Sequence, residues 1–238
     1  MIFKIYLIEK KGEQMNKSLI PVIFNLIIVL LVIFATVCMY TGFEFMGHAT
    51  SLTADSINML QFYTVQSNLL IGIISCVMMI YQWLLYKDKI DHISGVLFLL
   101  KLMFTVGVAI TFLVTVFYLA PATGEDWYSL FLNSNFFFHL VIPILAIVNF
   151  VFFEKTNSIK FYLTPLCLLP TLLYGIYYLI NAFSHLIDGV IDPAYDWYGF
   201  AQNGVAMGLL VFGIMLLFAY LITWVLWKLN RAKLVKQA

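Results

Sequence analysis

Leu19-Ile-Pro-Val-Ile-Phe-Asn-Leu-Ile-Ile-Val-Leu-Leu-Val-Ile-Phe-Ala-Thr-Val-Cys-Met-Tyr40 decides the fold. No charged side chain interrupts it, and about 20 such residues cover the roughly 30 Å of hydrocarbon in a bilayer as one helix. Five further runs of the same kind follow, near Leu60–Tyr86, Ile93–Leu119, Asn133–Phe153, Ile159–Asn181 and Gly204–Leu229. The chain is 63% hydrophobic and 11% charged, against about a quarter charged in soluble domains. Its mean hydropathy is +0.97. Backbone polar groups in lipid must be paired within the spanning structure, which leaves helices or a closed barrel. A barrel would alternate apolar and polar residues over short segments, whereas these runs are continuous. The expected fold is therefore all-α: residues 1–238 form one domain, a bundle of six transmembrane helices.

Charge sets the expected orientation. The 13 Lys and Arg fall at the N-terminus, at the C-terminus, or in or near the second and fourth loops, where Lys87, Lys89, Lys101, Lys155 and Lys160 lie. The first, third and fifth loops hold none, and carry Glu44, Asp55, Glu125, Asp126, Asp188, Asp192 and Asp196 instead. Basic residues near span ends stay cytoplasmic, so both termini are expected inside. Trp127, Tyr128, Tyr195, Trp197 and Tyr198 then mark the outer interface, and Trp83, Tyr86, Trp224 and Trp227 the inner one. The expected location is a plasma membrane, the bacterial cytoplasmic membrane in particular. Met15-Asn-Lys-Ser reads as a true start, with residues 1–14 an extension.

Several function classes drop out. No basic patch exists beyond what topology requires, so nucleic acid is not an expected partner. Cys38, Cys76 and Cys167 all lie within spans, which excludes a disulfide framework. The hydrolase, zinc-protease and phosphate-loop signatures are absent. His48, His139 and His185 share the outer side, but no two have helical metal-ligand spacing, so no metal is expected.

Polar residues inside a span are costly and mark function by default, and here they collect at one end of the bundle. The second span opens Gln61-Phe-Tyr-Thr-Val-Gln-Ser-Asn68 and the fourth opens Asn133-Ser-Asn-Phe-Phe-Phe-His139; the fifth ends near His185. The inner halves hold little besides Asn149 and scattered Ser and Thr. At 1.5 Å per residue, Thr64 and His139 should both sit roughly 6–10 Å below the outer boundary. Thr64, Ser67 and Asn68 share one helix face, as do Asn135, His139 and Pro143. Such a group suits acyl transfer. A threonine hydroxyl becomes a nucleophile when a neighbouring base takes its proton, and His139 is the candidate base. Gln66, Ser67, Asn68, Asn135 and His185 are candidates for substrate and oxyanion contacts. The competing reading makes Thr64 a back-bonding helix threonine, His139 a helix bridge, Asn68 and Asn135 interhelical glue, and Pro143 a kink.

Phe62-Tyr-Thr-Val-Gln-Ser-Asn-Leu-Leu70 resembles a motif of bacterial membrane proteins grouped with the androgen-induced-gene/FAR-17a family. Asn135-Phe-Phe-Phe-His-Leu-Val-Ile-Pro143 is similar to that family's second motif, and Tyr174-Gly-Ile-Tyr-Tyr178 to a third. The resemblance implies a membrane-embedded hydrolase, whose eukaryotic members cleave fatty acid esters of hydroxy fatty acids with a threonine nucleophile and a histidine. By motif, Thr64 takes the first role and His139 the second, without metal or organic cofactor. The expected partner is a membrane lipid or fatty-acyl ester. The rival expectation is a non-enzymatic protein that binds or transports a small molecule.

Overall fold

A computed structural model describes residues 18–48, 54–187 and 190–232. The proposed start at Met15 lies outside them. Six helices are long and apolar enough to cross a membrane: α1 (Ile20–Thr41), α2 (Tyr63–Tyr86), α3 (Gly95–Ala122), α4 (Asn133–Phe153), α5 (Phe161–Phe183) and α6 (Val205–Arg231). The chain is thus an all-α multi-pass membrane protein. Between α5 and α6 a two-residue ribbon pairs β1 (Leu186–Ile187) with β2 (Val190–Ile191).

The bundle is built around α3. Two thirds of its apolar window (67%) is buried inside the protein, against 17% for the peripheral α6, so α3 is the axle and α6 faces lipid most. Small residues let neighbours close on it. Gly107 of α3 meets Ser67 of α2, and Gly72 of α2 lies against Val32 of α1. The helices are not uniform. Three π-turns widen α3 at Thr115–Leu119 and α4 at Phe137–Val141 and Asn149–Phe153. Helix α2 begins three residues later than its apolar run, because Ser56–Gln61 forms a separate 3-10 turn and Phe62 is extended. This places Thr64 in the first turn of α2.

The expectation that the inner halves are nearly apolar does not hold. At the basic-loop end, Lys101 lies on α3 and is fully buried rather than in a loop. Its ammonium donates to Asn25 Oδ1 (2.6 Å) and Ser75 Oγ (2.7 Å) and lies 3.9 Å from Glu154 Oε2. Asn25 Nδ2 donates to Gln82 Oε1 (2.8 Å) and Glu154 Oε1 (2.7 Å), and Gln82 Nε2 donates to Glu154 Oε1 (2.9 Å). One network therefore ties α1, α2, α3 and the end of α4. Helix α6 joins through Asn230 Nδ2, which donates to the carbonyls of Phe150 (2.6 Å) and Glu154 (2.9 Å). The groups come from five separate stretches of chain, and in sequence each looks like an isolated polar residue.

Candidate active site

The acidic-loop end is organised by Asn133. Its backbone takes a left-handed turn (φ 53°) as α4 begins. Its carboxamide accepts from the N–H groups of Phe45 (2.7 Å) and Met46 (2.6 Å) and donates to the Gly47 carbonyl (2.7 Å). That pins the loop after α1 over the mouth of the bundle, and α4 then carries Asn135 and His139 downward on one face.

Thr64 and His139, from α2 and α4, line the same narrow space of about 10 Å³, together with Asn135, Val65, Met39, Phe62 and Tyr198. His139 is 1% exposed and lies within the π-turn of α4. Its Nδ1 is hydrogen-bonded to Thr115 Oγ1 at 2.7 Å, and Thr115 opens the π-turn of α3. The extra residue in each turn re-aims side chains that a regular helix would stagger, and π-bulges are frequent at functional sites. With Nδ1 engaged by Thr115, Nε2 is the nitrogen left for a second partner. It accepts a proton only in the tautomer whose Nδ1–H donates to Thr115.

Thr64 departs from its neighbours. Thr105, Thr111, Thr164 and Thr223 all return their hydroxyls to a carbonyl three or four residues back. Among the described residues Thr64 makes no such bond. The carbonyl four residues before it, on Leu60, accepts instead from Gln66 Nε2 (2.7 Å). The Thr64 hydroxyl is thus not tied to its own helix and shares the cavity with the Tyr198 phenol.

Two larger spaces adjoin. Toward the loops, a vestibule of about 280 Å³ shares Met39 and Asn135 with the small cavity and includes Glu44, Asp55 and Ser134. Toward the lipid, a groove of about 70 Å³ between α3, α5 and α6 shares Thr64 and Tyr198. Its walls are chiefly apolar and aromatic, among them Ile110, Val114, Leu179, Val211, Phe212 and Met215. Gly175 of α5 belongs to this wall and sits directly under the Phe212 ring of α6.

The remaining expected contacts are distributed differently. Asn68 is fully buried, and its Nδ2 donates to the carbonyls of Thr64 (2.8 Å) and Phe138 (3.1 Å), bridging α2 to α4. Ser67 Oγ donates to the same Thr64 carbonyl (3.0 Å). Ser67 and Gln66 line a different space, between α2, α3 and α5. His185 stacks on Tyr195 with ring centres 3.4 Å apart and donates Nδ1–H to the Asn181 carbonyl (2.8 Å). It lines none of the three contiguous spaces. Among the described residues no three His, Cys, Asp or Glu side chains converge as a metal site would require.

Two site residues escape the sequence patterns, Thr115 and Tyr198. Thr115 is an ordinary threonine in a run of apolar residues. Tyr198 reads as an interfacial aromatic, yet the loop after β2 folds it into the bundle, where its oxygen accepts the Tyr63 N–H at 2.9 Å. Comparison of the chain with protein families, with curated proteins and with solved structures gave no match.

Proposed function

We propose that the protein is a membrane-embedded hydrolase of lipid esters of the fatty-acyl class. The observation that carries this reading is the meeting of Thr64 and His139 at one buried cavity beside a long apolar groove. The resemblance of three segments to the androgen-induced-gene/FAR-17a family supports it. The acyl tail lies in the groove between α3, α5 and α6, reached sideways from the bilayer, and the ester carbonyl stops at Thr64. His139 Nε2 takes the Thr64 proton as Oγ attacks, and Thr115 holds the ring in the required tautomer. His139 then returns the proton to the leaving alcohol, and water, activated by the same nitrogen, releases the acid from the acyl-threonine. The protein works in a bacterial cytoplasmic membrane with both termini inside and the vestibule facing out.

The test is covalent labelling of the purified protein by a fluorophosphonate, combined with turnover of a panel of lipid esters. The reading requires labelling at Thr64 and release of fatty acid. A protein that does neither belongs to the second reading, binding or transport of a small molecule. One observation favours that reading: the Lys101–Glu154 network places ionisable groups inside the bundle at the end opposite the cavity.

A further inference from the structure

An ester hydrolase needs a fixed donor for the oxyanion that forms when the nucleophile attacks. The side-chain amides on α2 do not supply it. Asn68 spends its Nδ2 on two helix carbonyls, and Gln66 Nε2 is held by the Leu60 carbonyl. We propose that the Tyr198 phenol is the oxyanion donor of the Thr64 site. This inference rests on the ester-hydrolase reading.

Tyr198 lines both the small cavity and the acyl groove, so it stands where an ester carbonyl must pass to reach Thr64. Its hydroxyl interacts with the side chain and backbone of Thr64. Its oxygen accepts the Tyr63 N–H, which fixes the phenol, and its hydroxyl lies beside those of Thr64 and Tyr174 at the meeting of the cavity and the groove. A hydroxyl that accepts one hydrogen bond donates a stronger one, because such bonds polarise one another. The segment carrying Tyr198 is tied down on both sides. Trp197 Nε1 donates to Tyr174 Oη (3.1 Å), which donates in turn to the Gln61 carbonyl (2.7 Å). The Tyr178 hydroxyl donates to the Asp196 carboxylate, which also accepts the Ala201 N–H (3.1 Å). A donor held by three such ties needs little rearrangement as charge develops.

As the Thr64 Oγ–C bond forms, the Thr64 proton moves to His139 Nε2 and the carbonyl π pair moves onto oxygen. Tyr198 donates a hydrogen bond to that oxygen and keeps its proton. When the carbonyl re-forms, the C–O bond to the alcohol breaks and the alcohol leaves with the proton from His139. Water repeats the sequence on the acyl-threonine and the acid departs. Burial pushes the Tyr198 phenol up to about 12, so its donating form persists across the neutral and moderately alkaline range.

The experiment uses the full chain in lipid nanodiscs with a fluorogenic medium-chain acyl ester. Tyr198→Phe keeps the ring and removes the donor. The expected result is a kcat lower by about 10²–10³-fold, the loss typical of one oxyanion donor, with KM changed by less than about threefold. Parent protein that turns over the ester beside a Tyr198→Phe variant of equal kcat overturns the assignment and leaves the hydrolase reading standing. Parent protein without turnover overturns both. A second measurement covers a Tyr198→Phe protein that does not fold. Difluorotyrosine placed at position 198 keeps ring and hydroxyl but ionises at lower pH, so the alkaline fall in kcat should move to lower pH. An unmoved profile overturns the assignment.

Discussion

The Lys101 ammonium and the Glu154 carboxylate stand 3.9 Å apart with both side chains wholly withdrawn from the surface, inside a protein whose neighbours on one side are lipid. Asn25, Ser75 and Gln82 complete the network. Removing one charge strands the other. Lys101→Met and Glu154→Met should each destabilise the protein by about 3–5 kcal/mol, the usual cost of breaking a buried pair. The double variant should cost much less than the sum, because two well-packed apolar side chains can replace a buried pair at little loss. Thermal unfolding of the three variants in one detergent gives the coupling. Additive losses would mean that the two charges do not depend on each other.

Orientation is tested from the loops. Cysteines introduced at Gly124 and Ala194 should react with an impermeant maleimide in intact cells, and one introduced at Asp91 should react only after the membrane is broken. The expectation follows from the absence of Lys and Arg in the first, third and fifth loops. Labelling confined to position 91 would invert the protein in the membrane and turn the vestibule inward.

The six helices were legible because lipid imposes the same rule on every residue of a span, and the ends of the apolar runs match the helices within a few residues. Thr64, Asn135 and His139 were legible for a related reason: each is a polar group among apolar ones, at a depth that counting residues can estimate. Three features were not. The π-turns at Thr115 and His139 leave no mark in composition. Tyr198 looks like an interfacial aromatic until the Asp196–Tyr178 and Trp197–Tyr174 bonds draw its segment inward. Lys101 sits close enough to a loop to pass for a topology signal, and only the fold brings Glu154 and Asn25 to it.

Thr115 acts on chemistry through His139 and is a positioning residue. Thr115→Val keeps the shape and removes the hydrogen bond to Nδ1. Leaving a buried polar atom without its partner costs about 1–3 kcal/mol. If that cost falls on the transition state, kcat should drop about 5- to 150-fold. Thr115→Ser should restore most of it. Steady-state kinetics with one acyl ester decides the matter, and equal rates for Thr115→Val and parent would remove Thr115 from the site.

Gly175 tests the groove. A methyl group added there would run into the Phe212 ring, which must then swing into the space between α3, α5 and α6. Gly175→Ala should therefore raise KM for long-chain esters while leaving short-chain esters nearly unchanged. Chain-length profiles of the two proteins give the answer. A uniform change across chain lengths would place the acyl tail elsewhere.

Thr64 and His139 should behave as one unit. Thr64→Ala removes the nucleophile and His139→Ala removes the base that activates it, so each should abolish turnover and fluorophosphonate labelling. Once either is gone the other has no partner in the reaction, and the double variant should be no worse than either single one. Thr64→Ser keeps the hydroxyl and should retain part of the rate, because the first turn of α2 holds the side chain toward the cavity whichever residue bears it. Folding is the control. The Thr64 hydroxyl makes no back-bond among the described residues, so Thr64→Ala should leave the unfolding midpoint within a few degrees of the parent. His139→Ala opens a hole beside Thr115 and should lower that midpoint more. A purely structural pair would reverse this pattern, with lowered stability in both variants and no ester turnover to lose in the parent. Rates and midpoints measured on the same five preparations separate the two cases.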